Sequence, residues 1–233
     1  MPLITLLTPT GWRKKAFSLT ESYVKRQTYK GDIQWLVSSD DKLDDPTPCT
    51  MGQEYYPCPL TWKLGINTQR YQFANLIPHI KGEYVFVWED DDLYKPQYLE
   101  IMMDFLKYGD VVGESDVTYY NLARRGFKEM NNHRHASLCQ TGFKRSYLPH
   151  FENAVHSGQV FFDLSLWGNA RAKGHKSLLF SGMNLLVGLK GIERSGIGFG
   201  HTASNEEFTA DPNFIKLKQL LGIDANPYIE MFK

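Results

Sequence analysis

Tyr84-Val85-Phe86-Val87-Trp88-Glu89-Asp90-Asp91-Asp92 is the most informative run in this chain. Its first four residues are aromatic or β-branched and read as a buried strand. Its last four are acids. Four carboxylates closing a buried strand repel one another and are costly to bury unless a cation neutralises them. A hard divalent ion that prefers oxygen ligands suits such a cluster. Pro96 then opens a segment reaching Leu106 with apolar residues at helical spacing. Acids ahead of a helix are also favoured by its dipole. Capping, however, needs one acid rather than four, so the metal reading is preferred.

On the N-terminal side, Leu3–Leu7 reads as a first strand stopped by Thr8-Pro9-Thr10-Gly11. Lys14–Arg26 reads as a helix with Ala16, Leu19, Tyr23 and Val24 on one face. Ile33–Val37 reads as a second strand ending in Ser38-Ser39-Asp40-Asp41. Strand, helix, strand implies a βαβ unit with parallel strands, whose ligands bind at the carboxyl ends. Three polar strand ends therefore share one edge.

Residues 42–62 read as a long loop and Asn67–His79 as a helix ending near Pro78. Asp110–Gly113 and Val117–Tyr120 read as short strands, and Gly126–His135 as a hairpin or loop. Gly142–Tyr147 reads as a strand and Phe161–Lys173 as a helix. Lys176–Phe180 and Leu185–Leu189 read as late strands, glycine-rich Gly188–Gly200 as a mobile loop, and Asn213–Leu221 as a last helix. No repeat or linker-like break is visible.

The chain has 233 residues, 42% hydrophobic and 14% aromatic, which fits a folded globular protein. Twenty-six basic residues balance 26 acidic ones, which excludes a general polyanion binder. Basic clusters such as Arg124-Arg125 and Lys144-Arg145 read as solvated surface. Cys49, Cys58 and Cys139 lack C-x-x-C spacing, so structural zinc is not expected and a reducing compartment is. No leader or membrane-length apolar run is visible. The expectation is a soluble cytoplasmic protein with no obligate protein partner.

The order of these motifs resembles family 2 glycosyltransferases of the GT-A fold. Thr8-Pro9-Thr10, Arg13 and Gln27-Thr28-Tyr29 are similar to that family's opening. Gly82-Glu83-Tyr84, a strand, Glu89–Asp92 and Pro96 are similar to its central D-x-D region. Phe162-Asp163-Leu164-Ser165-Leu166-Trp167, with Gly174 following, resembles its later acidic motif. The likeness runs from about residue 3 to residue 201.

The resemblance implies an α/β, Rossmann-like GT-A fold: a mixed, mostly parallel sheet flanked by helices in a single domain. Residues 1–112 would be the nucleotide-sugar half and 113–233 the acceptor half. It implies a metal-dependent, inverting transfer of a sugar from a nucleoside-diphosphate donor to an acceptor hydroxyl, with Mn2+ or Mg2+. On this reading Asp91, Asp92 and His201 serve the metal. Thr8, Thr10, Arg13, Ser39, Asp40, Arg70, Glu89 and Asp90 serve the donor, and Asp163 is the base. Here Glu89 stands where the family has a first Asp, Ser38-Ser39 precede the aspartates of the second strand, and Phe162 replaces a Glu.

Each residue has a plainer alternative. Asp163 suits a helix N-cap, a role compatible with that of a base. His201 suits a loop histidine; Lys190 and Arg194 could touch phosphate, and as single charges suit the surface better. His133 and His135 would share one face of a strand and read as an acceptor-side loop or plain surface. Trp12, Trp62, Trp88 and Trp167 suit stacking on sugar or base, or simply the core. The acceptor is open between a DNA base, a polysaccharide and a small molecule. A compact enzyme of this kind looks similar to bacteriophage transferases, some of which glycosylate hydroxylated pyrimidines in DNA. Two other functions stay in play: a nucleotidyltransferase and a non-catalytic cation- or sugar-binding protein.

Overall fold

The seven residues of strand β1 (Ile4–Thr10) are all buried, as expected of a central strand covered on both faces. The computed structural model describes residues 1–61, 67–193 and 199–232. After β1 come helix α1 (Lys14–Lys25), β2 (Ile33–Ser39), β3 (Glu54–Pro57) and α2 (Gln69–Leu76). The chain continues through β4 (Tyr84–Val87), β5 (Asp92–Tyr94), α3 (Tyr98–Leu106), β6 (Val111–Glu114), β7 (Asp116–Asn121) and β8 (Gly126–Asn131). Then follow β9 (Thr141–Lys144), α4 (Leu148–His156), α5 (Phe162–Ala172), β10 (Ser177–Phe180) and β11 (Leu186–Lys190). The last elements are α6 (Phe199–Thr202), β12 (Thr209–Ala210), α7 (Ile215–Leu221) and α8 (Ala225–Glu230).

A seven-stranded sheet runs β10-β6-β9-β4-β1-β2-β3. Its β4, β1, β2 and β3 are mutually parallel, and β9 alone runs against its neighbours. Alternation of side chains sorts the core onto two faces. Leu6, Trp35, Val37 and Phe86 meet Ala16 and Phe17 of α1 and Leu99 and Met102 of α3. Leu7, Leu36, Val85 and Val87 meet Phe73 of α2, Phe151 of α4 and Phe162 and Trp167 of α5. The result is the helix–sheet–helix sandwich that the βαβ order implies. A second sheet, β12-β8-β7-β11-β5, lies beyond the carboxyl end of β4 and reaches the first through the Glu89–Asp92 turn.

The expected α/β architecture is present, with several local corrections. The 42–62 segment is not all loop: β3 pairs in parallel with β2, Leu36 facing Glu54 and Ser39 facing Pro57. The helix after Pro96 starts at Tyr98, with Gln97 as its cap residue. Helices α4, α6 and α8 and strands β5 and β12 have no counterpart among the expected elements, and His201 falls in α6 rather than on a loop. The 126–135 segment is a hairpin arm only to Asn131, so His133 and His135 lie beyond it and share no strand face. Gly188 and Lys190 belong to β11 rather than to a loop. Arg194, Trp62 and the stretch 194–198 of the glycine-rich segment lie outside the described residues. The 112/113 division falls within β6, and β9 and β10 from the later half complete the first sheet.

Candidate active site at the carboxyl edge of the sheet

Trp88 prolongs β4 by one bond, its N–H donating to Leu7 O at 2.9 Å. Its indole is fully buried and stacks on Tyr94 with ring centroids 3.7 Å apart. The Tyr94 hydroxyl in turn accepts the Glu89 N–H at 2.8 Å. Leu189 of β11 donates to Asp91 O at 3.0 Å. The acids therefore sit on a short turn pinned at both ends, between two sheets. Such pinning fixes carboxylate positions before any ligand arrives.

Two cations enter this turn, Lys190 buried and Arg13 nearly so. Arg13, at the start of α1, lies 3.0 Å from Asp90 Oδ1 and 2.8 Å from Asp91 Oδ2. Lys190, at the end of β11, lies 2.7 Å from Asp92 Oδ1, 3.1 Å from Asp91 Oδ1 and 3.8 Å from Glu89 Oε2. Thr10 donates to Asp90 Oδ2 at 2.6 Å, and Gln69 donates to Glu89 Oε1 at 3.0 Å. The His201 Nε2 faces Asp91 Oδ2 at 3.1 Å. The expected set Thr10, Arg13, Glu89, Asp90, Asp91, Asp92 and His201 is thus one contiguous group.

Burial and charge sort the acids. Burial alone would raise Asp91, but Lys190, Arg13 and His201 together hold it well below the usual carboxylate range. Burial pushes Glu89 up to about 8; neighbouring Asp92 and Asp91 add to this, and Lys190 and Arg13 only partly offset it. Asp92 is also raised, chiefly by burial. Burial lowers His201, with Asp91 pulling the other way, which favours a neutral ring. Four acids thus face two resident cations, Arg13 and Lys190.

Beside this group lies the end of β2. Asp40 accepts a hydrogen bond from Thr68, just ahead of α2. Ser39 donates to Asp41 at 2.6 Å, and Gln72 of α2 donates to Thr10 O. Gly11 packs so closely that a Cβ there would lie 1.8 Å from Asp40 Oδ1, and its φ of +144° is one that side-chain-bearing residues avoid.

Three expected residues stand apart by their contacts. Thr8 accepts the buried Trp35 indole N–H at 2.8 Å, a bond within the core. Arg70 turns onto Tyr71, its Nη2 2.9 Å from the phenol oxygen. Asp163 lies in the first turn of α5, with Phe161 rather than Asp163 as the cap residue. Its Oδ2 is 4.0 Å from His135 Nε2, and burial raises its pKa while His135 opposes the shift.

Lys190 is 6% exposed and central to the cluster, so its surface alternative fails, whereas its other reading, a phosphate contact, is compatible with this position. Its clue was position, since Leu186, Gly188 and Lys190 alternate on one face of a fully buried strand. Gln69, Thr68 and Cys139 also went unmarked. Cys139 forms a compact group with Glu89 and Asp92, ligand atoms within 4.8 Å of one another. Burial and Asp92 hold its thiol well above the ordinary value, so it stays protonated.

The residues fit a hard divalent ion at Asp91 and His201. Cis ligands of an octahedral ion at ~2.1 Å stand about 3 Å apart, and Asp91 Oδ2 and His201 Nε2 are separated by 3.1 Å. Neutral imidazole and carboxylate are both acceptable to Mn2+. A soft thiol suits such a hard ion poorly, and Cys139 packs in the core. A cavity of about 620 Å³ lined by Lys95, Asp116, Thr118, Glu129, Asn184 and Lys216, among others, touches none of the four acids.

No family model and no curated protein matches this sequence. Solved structures do share its fold. A mannosyltransferase from Pyrobaculum calidifontis, solved with GDP-Man and Mn2+, superposes with a TM-score of 0.57 at 14% identity, over 99% of this chain and 73% of that one. S. aureus TarS gives 0.57 at 12% identity, over 81% of this chain and 37% of that one. TarS 1–349 in complex with UDP gives 0.52 at 10% identity, over 80% of this chain and 60% of that one. The chain thus spans little more than a third of the full TarS structure. The likeness establishes a GT-A-type fold.

Proposed function

We propose that this protein is a metal-dependent, inverting glycosyltransferase using a nucleoside-diphosphate sugar. The observation that carries the reading is the convergence of Glu89–Asp92, Arg13, Lys190 and His201 at the carboxyl edge of parallel β1, β2 and β4. Ligands of such sheets bind at that edge. The neighbours solved with GDP-Man and Mn2+, and with UDP, share the fold and make a nucleotide sugar the natural donor class.

Asp91 and His201 would hold the divalent ion, which offsets the charge that develops on the departing diphosphate. Asp40 and Ser39, beside the first two strands, suit nucleoside hydroxyls. Asp163 is the candidate base: its raised pKa brings a carboxylate closer to the range useful near neutral pH. It takes the acceptor hydroxyl proton as that oxygen bonds to the anomeric carbon, and the bond from that carbon to the diphosphate oxygen breaks. Attack opposite the leaving group inverts the centre. The acceptor is an open hydroxyl class, in which hydroxylated pyrimidine DNA, a polysaccharide and small molecules all belong in the trial.

A nucleotidyltransferase would need backbone N–H groups free for phosphate after β1. Here the Trp12 N–H donates to the Asp41 carboxylate and Gly11 abuts Asp40, which weighs against that reading.

The deciding experiment incubates the protein with UDP-, GDP-, ADP- and dTDP-sugars, and separately with nucleoside triphosphates, plus Mn2+ or Mg2+, and follows slow donor hydrolysis. Release of one nucleoside diphosphate supports the proposal. Pyrophosphate release from a nucleoside triphosphate, with every sugar donor inert, would overturn it.

A further inference from the structure

Lys190 does more than balance charge. Its ammonium is buried among Glu89, Asp91 and Asp92, with two carboxylate contacts of 2.7 and 3.1 Å. Its stem is held in place: a Cβ on Gly200 would lie 2.7 Å from Lys190 Cγ, and the Tyr119 ring centroid is 5.8 Å from Nζ. Gly188, two residues earlier on the same face, leaves room for Tyr119, whose ring would meet a Cβ there at 2.3 Å. The surroundings are therefore shaped to deliver one cation to this spot. Asp91 Oδ1 is bonded to Lys190 and Asp91 Oδ2 to Arg13 and His201, so both oxygens are engaged before any ion arrives. An ammonium and a divalent ion so close together repel strongly where water is scarce.

We propose that Lys190 is a resident counter-cation that keeps a divalent ion off the acids until a diphosphate is present. Resting on the donor reading, the diphosphate half follows: phosphate oxygens accept the ammonium, Asp91 is released, and ion and nucleotide bind together rather than ion first. A short reorientation of the head group suffices, with the stem kept between Tyr119 and Gly200.

Mn2+ titrations followed by electron paramagnetic resonance test this on the full chain. Wild type should bind Mn2+ alone weakly and at least tenfold more tightly with UDP or GDP present. Lys190→Met should bind Mn2+ alone at least tenfold more tightly than wild type, and Lys190→Arg, which keeps the charge, should not. Thermal melting supplies an independent readout, in which Mn2+ alone raises the midpoint of Lys190→Met, or of Lys190→Gln, far more than that of wild type. A merely structural lysine would give a destabilised variant that Mn2+ does not rescue. Mn2+ affinity in Lys190→Met no higher than in wild type overturns the proposal. If neither nucleotide binds wild type, the donor reading and the diphosphate half fall. The comparison of the two proteins with Mn2+ alone still decides whether Lys190 excludes the ion.

Discussion

Asp91 is bonded to Arg13, Lys190 and His201 at once. Asp91→Ala should lower Mn2+-dependent UDP or GDP affinity at least tenfold by calorimetry; unchanged affinity would remove Asp91 from the ion's site. Glu89 behaves differently. Its pKa rises from 4.5 to about 8 on folding, so between those values the folded chain holds a proton that the unfolded chain has lost. Stability from this group is full below about pH 4.5 and declines as pH rises through about 8, by a few kcal/mol in all. Denaturant melts of Glu89→Gln should lack that slope; the same slope in both proteins would show that another group titrates. The acids themselves were legible because four in a row after an apolar strand have no ordinary structural use. Lys190 was not, because a lone lysine after a buried strand looks like any solvated strand end until its three partners are seen in space.

At the level of elements, β1, β2 and β4 were legible because continuous apolar runs mark central parallel strands. β3 was hidden by Pro and Cys residues around a half-exposed edge, and β5 by the acids that open it. Helix α4 begins Leu148-Pro149, and a proline in the first turn is easily taken for a break. The β1–α1 connection turns on Gly11. Gly11→Ala should destabilise the fold by about 1–3 kcal/mol through backbone strain alone, displace Asp40 and weaken donor binding, as read by denaturant melts and calorimetry. Wild-type donor affinity in that variant would show that Asp40 takes no part. On α5, Asp163→Asn should leave donor affinity intact and reduce transfer at least a hundredfold; normal turnover would place the base elsewhere.

Across the whole molecule, the C-terminal segment closes over α1. Leu217, Leu221, Tyr228 and Ile229 are buried, and the Tyr228 hydroxyl bonds that of Tyr23 at 2.5 Å. Arg26 pairs with Asp224 at the same contact. Tyr228→Phe strands a buried phenol and should cost about 1–3 kcal/mol in urea unfolding, with donor binding unaltered; a neutral result would mean that water replaces the lost partner. This long-range closure was illegible, since nothing local links residue 23 to residue 228. Among the described residues no helix is long and apolar enough to cross a membrane. The acids also straddle a seam: Glu89–Asp91 follow β4 of one sheet, whereas Asp92 and Lys190 belong to strands of the other. Of the outer sheet, β5 and β11 supply Asp92 and Lys190, and β7 sets Tyr119 against the Lys190 head group. The far strands of that sheet, β8 and β12, lie at its opposite margin, so a substitution there leaves the Asp92–Lys190 pair at the seam in place.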